Sequence, residues 1–93
     1  MIKSFRSKET EKIWCGEVSL KLPGDIQRKA RLKLRIINNS ISLNDLKIPP
    51  GNNLEQLKGD RKGQHSIRIN QQWRICFRWG EGHAYEVEIT DYH

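Results

Sequence analysis

Apolar residues fall at every second position in three runs between Ile67 and Ile89. Ile67 and Ile69 share one face, with Ser66, Arg68 and Asn70 on the other. Trp73, Ile75, Phe77 and Trp79 share a face, opposed by Arg74, Cys76 and Arg78. Tyr85, Val87 and Ile89 follow, opposed by Glu86, Glu88 and Thr90. A period of two marks a strand with one buried face. Asn70-Gln71-Gln72 and Gly80-Glu81-Gly82-His83 supply the turns. Links this short make consecutive strands antiparallel, so the run predicts a meander. A one-faced sheet needs a cover, and only the first half of the chain can provide it.

That half reads as helical. Ile2 to Phe5 alternates and predicts a short first strand. Ser7 is an N-cap candidate, with Glu9 and Glu11 behind it, Ile13 and Trp14 as buried contacts and Gly16 as the stop. Leu22-Pro23-Gly24 breaks the chain, and Asp25 is placed to cap a longer helix from Ile26 to about Asn38. Ile26, Ala30, Leu34 and Ile37 form its apolar stripe. Its other face carries Arg28, Lys29, Arg31, Lys33 and Arg35, which either is solvated or meets rRNA or an acidic protein segment. Ile41 to Leu46 is expected to form a further short helical turn with Ser42 as its cap, and Ile48 to Asn53 reads as a loop. At 93 residues the chain is expected to form one domain, residues 1–93. The expected class is α+β: a twisted antiparallel sheet, made of the three C-terminal strands plus the N-terminal one, covered by two or three helices on one face. The polar face is expected to stay free.

Register sharpens this. For the apolar faces of the first two C-terminal strands to coincide, paired residue numbers must sum to an even value. A three-residue loop at Asn70–Gln72 then pairs Ile69 with Trp73 and sets Arg68 opposite Arg74. Like charges directly opposed are destabilising, so a pair kept that way has an anion to hold. Pairing Trp79 with Tyr85 puts Arg78 opposite Glu86 and Thr90 beside Arg74. Asp91-Tyr92-His93 then emerges next to the arginine pair.

Charge agrees. Lys and Arg number 17 against 11 Asp and Glu, a net charge of +6. A compact domain this basic favours polyanions: RNA, DNA, an anionic membrane or an acidic protein. No apolar run approaches a membrane span, and no secretory signal precedes Cys15 and Cys76, so a cytosolic protein with reduced thiols is expected. Cys76 reads as a small strand filler rather than a nucleophile. His65 reads as a packing residue and His83 as a solvent-facing turn residue. Neither they nor His93 make an HxH or HExxH spacing, so no metal site and no cofactor are expected.

Cutting RNA without a metal needs a base for the 2′-hydroxyl, cations for the phosphate, an acid for the leaving 5′-oxygen, and a device to orient the nucleotide. Glu55 is the carboxylate placed just before the cations and is the candidate base; it is equally placed to pair with Lys58. Lys58, Arg68 and Arg74 are candidate phosphate clamps, arginine having the planar fork that grips two oxygens. Arg61 is placed to contact a neighbouring phosphate. His93 is the candidate acid, because histidine titrates near neutrality. Asp91 and Tyr92 complete the substrate-facing end, Tyr92 as a ring on which a base could stack.

These motifs, taken in order, resemble those of the RelE superfamily of toxins. They are Glu55-Gln56-Leu57-Lys58-Gly59, Gly63-x-x-Ser66-x-Arg68-Ile69, Trp73-Arg74-x-x-Phe77 and Asp91-Tyr92-His93. Ile2-Lys3-Ser4-Phe5 and Pro50-Gly51-Asn52-Asn53-Leu54-Glu55 resemble its HigB branch. The resemblance implies a type II toxin that cleaves mRNA in the ribosomal A site. It also implies a helix-turn-helix antitoxin (HigA-like) that holds the toxin inactive and, with it, binds operator DNA. It matches Lys58 to the family's phosphate-contacting lysine, Arg68 and Arg74 to its strand arginines, and Tyr92 and His93 to its C-terminal pair. Glu55 matches the glutamate base of the YoeB branch; some HigB members carry histidine there, leaving Glu55 and His93 both open as the base. The rival expectation is a non-catalytic RNA- or ribosome-binding regulator that keeps antitoxin binding and operon control.

Overall fold

The computed structural model describes residues 1–48 and 50–91. Helix α1 is Lys8–Trp14 and helix α2 is Gly24–Asn39. Strands β1 (Glu55–Gln56), β2 (His65–Arg68), β3 (Trp73–Gly80) and β4 (His83–Asp91) form one antiparallel sheet in that order.

Local chemistry explains the helix ends. The Ser7 side chain accepts the Thr10 N–H and starts α1. Gly16, at φ +87°, lies just beyond its end, a conformation that suits glycine. Asp25 is not the cap of α2: the helix starts at Gly24, two residues before the expected Ile26, Pro23 stands at the N-cap and Asp25 sits in the first turn. Its carboxylate there still favours the positive helix end. Residues Leu43–Lys47 form the expected short turn, as a 3₁₀ helix, with Asp45 accepting from the Ile41 and Ser42 N–H groups.

The core lies between the helices and the apolar face of the sheet. Ile13, Ala30, Leu34 and Ile37 are fully buried against Ile67, Ile75, Phe77 and Val87. Each of these side chains except the small Ala30 contributes about 1.5–3 kcal/mol on leaving water. Polar contacts also tie the layers together. Thr10 Oγ1 accepts the Ile89 N–H at 2.9 Å, tying α1 to β4. Arg31 and Lys33, read from sequence as part of a basic face, are only partly exposed. Arg31 Nε donates to the Ile13 carbonyl at 3.0 Å, and Lys33 donates to Asn52 Oδ1. Burial pushes the Lys33 pKa down from its usual value. Arg28, Lys29 and Arg35 keep an exposed basic surface.

Two expectations about the sheet need correction. Ile2–Phe5 is not a strand of it: the segment makes two isolated parallel bridges to β4, Ile2 to Ala84 and Phe5 to Val87. The fourth strand is Glu55–Gln56. The second correction concerns the last hairpin. Glu81 (φ +54°) and Gly82 (φ +79°) form a two-residue turn with both dihedrals positive, the geometry that matches strand twist. Arg78 therefore pairs with Tyr85 and Trp79 with Ala84, not Trp79 with Tyr85. Fully buried Ala84 takes the core face there, in place of Tyr85. A bulge with Glu86 at φ +52° absorbs the odd residue, and from Cys76–Glu88 onward the expected register holds. Arg78 still bonds Glu86, Nε to Oε2, at 2.6 Å.

Candidate active site

The β2–β3 register sets Arg68 opposite Arg74, as the even-sum rule predicts. The turn between them is closed by Asn70, whose Oδ1 accepts the Gln72 and Trp73 N–H groups at 2.8 and 2.7 Å. Thr90 pairs with Arg74 on its other side. Glu55 pairs with Ser66, Ser66 with Cys76, and Cys76 with Glu88. Strand alternation therefore puts two adjacent rows on one face: Arg68, Arg74 and Thr90, and beside them Glu55, Ser66, Cys76 and Glu88.

This face is not free, contrary to expectation. Arg74 is 4% exposed. Its Nε donates to Ser66 Oγ at 2.8 Å, and its NH2 group donates to the Asn53 carbonyl at 2.5 Å. The chain between α2 and β1 passes round the β1–β2 edge to reach it: Asn52 is held from the helix side by Lys33, and Asn53 (φ +45°) turns its carbonyl to Arg74. Glu55 Oε1 lies 3.9 Å from Arg74 NH2. The carboxylate is half exposed and faces the guanidinium rather than Lys58. Two sequence-remote groups, Ser66 Oγ and the Asn53 carbonyl, thus aim the arginine. Ser66 was visible beforehand only as part of a motif, and a backbone carbonyl leaves no mark in a sequence.

Lys58 is exposed and makes no ion pair among the described residues. With Glu55, Gln56, Leu57, Asp60 and Arg61 it lines an open groove of about 530 Å³. Arg61 NH1 is engaged by Glu88 Oε1 and Gln64 Oε1, both at 3.2 Å. Asp91 pairs with Trp73, so alternation places it on the face away from the arginines, and its carboxylate accepts from Gln72 Nε2 at 3.0 Å. Tyr92 and His93 lie outside the described residues.

The remaining candidates behave as follows. Cys76 is fully buried, its Sγ 3.3 Å from Thr90 Oγ1, and Cys15 is exposed; both thiols are free. His83, expected to face solvent, is partly exposed, with its Nδ1 buried and without a hydrogen-bond partner among the described residues. His65 packs on the core face, its ring 6.1 Å from that of Phe77. Burial lowers its pKa from 6.5. Below about pH 6.5 the unfolded chain therefore takes up the proton more readily, and stability is lost as pH falls through the folded value. Urea midpoints should drop between about pH 7.5 and 5, and His65→Gln should flatten part of that drop. An identical slope in the variant would refute the assignment.

No helix of the described residues is long and apolar enough to cross a membrane. Two helices on one face of a small antiparallel sheet, with opposed arginines on the other, make an α+β fold that solved structures share. The chain is similar to a chain of the YoeB–YefM complex from Staphylococcus aureus, with a TM-score of 0.61 at 18% identity, covering 100% of this chain and 98% of that one. It is likewise similar to a YafQ mutant from E. coli, with a TM-score of 0.64 at 12% identity, covering 98% and 91%. At these identities the likeness shows the fold.

Sequence narrows the class. Residues 3–93 match the HigB-like toxin family, described as RelE-like toxins of the type II toxin–antitoxin system HigB, and the chain belongs to that family. It is 38% identical over 85 residues to Toxin HigB-1 of Vibrio cholerae, covering 90% of each chain. It is 32% identical over 93 residues to Endoribonuclease HigB of Proteus vulgaris, covering 100% of each.

Proposed function

We propose that this toxin is a ribosome-dependent endoribonuclease that cleaves mRNA in the A site, and that a cognate helix-turn-helix antitoxin neutralises it. The observation that carries this reading is the opposed pair Arg68–Arg74 with the Glu55 carboxylate 3.9 Å from Arg74. A carboxylate beside fixed cations can take the 2′-hydroxyl proton while the cations stabilise charge building on the phosphate. Attack of the 2′-oxygen on phosphorus expels the 5′-oxygen. The products are a 2′,3′-cyclic phosphate and a 5′-hydroxyl; the step leaves the base protonated and the acid deprotonated, and exchange with water resets both. Glu55 acts as base, Lys58, Arg68 and Arg74 hold the phosphate, and His93 supplies the proton, with Tyr92 stacking on a base. Every one of these groups belongs to the protein, and no step requires a metal.

The groove beside Glu55 and Lys58 is small and open, so it lacks the means to position free RNA for in-line attack. The ribosome supplies that positioning. Naked RNA should therefore be cut poorly and programmed ribosomes efficiently. Mapping mRNA 5′ ends after induction should show cuts within the A-site codon. Stalled ribosomes carrying intact mRNA would overturn the reading and favour a regulator that only binds.

A further inference from the structure

Residues 57–64 form a closed loop. The Leu57 N–H donates to the Gln64 carbonyl at 2.9 Å, and the Gln64 N–H to the Arg61 carbonyl at 3.0 Å. The Arg61 and Lys62 N–H groups return to Lys58 and Gly59. Leu57 and Gln64 are 7% and 2% exposed, so the loop has its own buried base. It presents Lys58 on one side and lays Arg61 across the sheet on the other.

What Arg61 reaches is Glu88, two strands beyond β2 in the sheet. Between Glu55 and Glu88 the row holds Ser66 and Cys76, both small and fully buried. Gly63, at φ +90°, approaches Arg78 so closely that a Cβ there would meet NH1 at 2.9 Å. The guanidinium of Arg61 is thus held by the Glu88 carboxylate and by the buried Gln64 side chain.

We infer that Glu88 is a positioning residue, and that with Arg61 it tethers the Lys58 loop over the cleavage face. Arg61 is then a strut, not a phosphate contact. The inference rests on the ribonuclease reading for its consequence, though not for its geometry. A guanidinium already bound to a carboxylate offers less charge to RNA, whereas a loop set to within an ångström decides where Lys58 meets the phosphate. Misplacement by about 1 Å costs on the order of 10²-fold in rate.

The test compares Glu88→Ala, Arg61→Ala and the double variant as purified toxins. Single-turnover cleavage on programmed ribosomes gives the rate at saturation and the half-saturating concentration. Amide hydrogen exchange at Leu57 reports loop closure without reference to activity. The tether predicts a fall of roughly tenfold or more in the saturated rate for each single variant, with half-saturation unchanged. It predicts a double variant no worse than either single, because both remove one unit. It predicts faster exchange at Leu57 in all three. A phosphate-contacting Arg61 gives a different pattern: Arg61→Ala weakens ribosome binding, Glu88→Ala tightens it, and the effects add. That pattern, or unchanged Leu57 exchange in Glu88→Ala, would overturn the inference. Failure of the unmodified toxin to cut on ribosomes would sink the ribonuclease reading and leave exchange to judge the tether.

Discussion

Arg74→Ala should abolish growth arrest and also weaken the fold, and the two losses can be separated. Arg74 is 4% exposed and donates to Ser66 Oγ and the Asn53 carbonyl. Removing it leaves both acceptors without this donor, the Ser66 hydroxyl in a fully buried place. The expected cost is about 2 kcal/mol of unfolding free energy, since a buried polar group left unsatisfied costs about 1–3 kcal/mol. The chemical loss is larger. Taking away one preorganised donor from developing negative charge costs on the order of 10²–10³-fold in rate. Arg74→Lys separates the contributions, because it keeps the charge but lacks the planar fork. It should fold and bind antitoxin yet remain non-toxic. Urea melts of the purified variants, with toxicity scored at matched abundance, check both halves. Full toxicity of Arg74→Ala would remove this residue from the site.

Phe77→Ala should act through the fold alone. The ring is fully buried, 6.1 Å from His65 and 6.3 Å from Trp79, edge-on to the latter. Phe to Ala in such a place costs about 3–5 kcal/mol, from lost burial plus the cavity left behind. A domain of this size has about 5–15 kcal/mol to lose. The variant should melt far earlier, be degraded faster in cells and lose toxicity through low abundance. Its residual folded fraction should still cleave on ribosomes, which distinguishes it from Arg74→Lys. A destabilisation below about 1 kcal/mol would mean that the core is not centred here.

The difference between these variants follows from how the two faces are built. The apolar face is a repeated, local pattern: one residue in two, packed on a helix stripe of period 3.6. The polar face is assembled from remote pieces. Glu55 joins it by pairing with Ser66, Asn53 by a backbone carbonyl, and Arg61 by reaching Glu88, 27 residues away. Nothing in local spacing announces such contacts.

From sequence alone came the α+β class, the three-strand meander, the two helices and the opposition of Arg68 and Arg74. These follow from side-chain alternation and turn length, which are properties of neighbouring residues. Tertiary structure decided the rest. A two-residue turn shifted Trp79 onto Ala84, and the bulge at Glu86 restored the register further along. The N-terminal segment flanks β4, and Glu55–Gln56 takes the place of a fourth strand. Arg74 went from an assumed free cation to a buried, aimed one. The physical reason is the same each time: periodicity tells which face a residue takes, but only the packed chain decides what lies across that face.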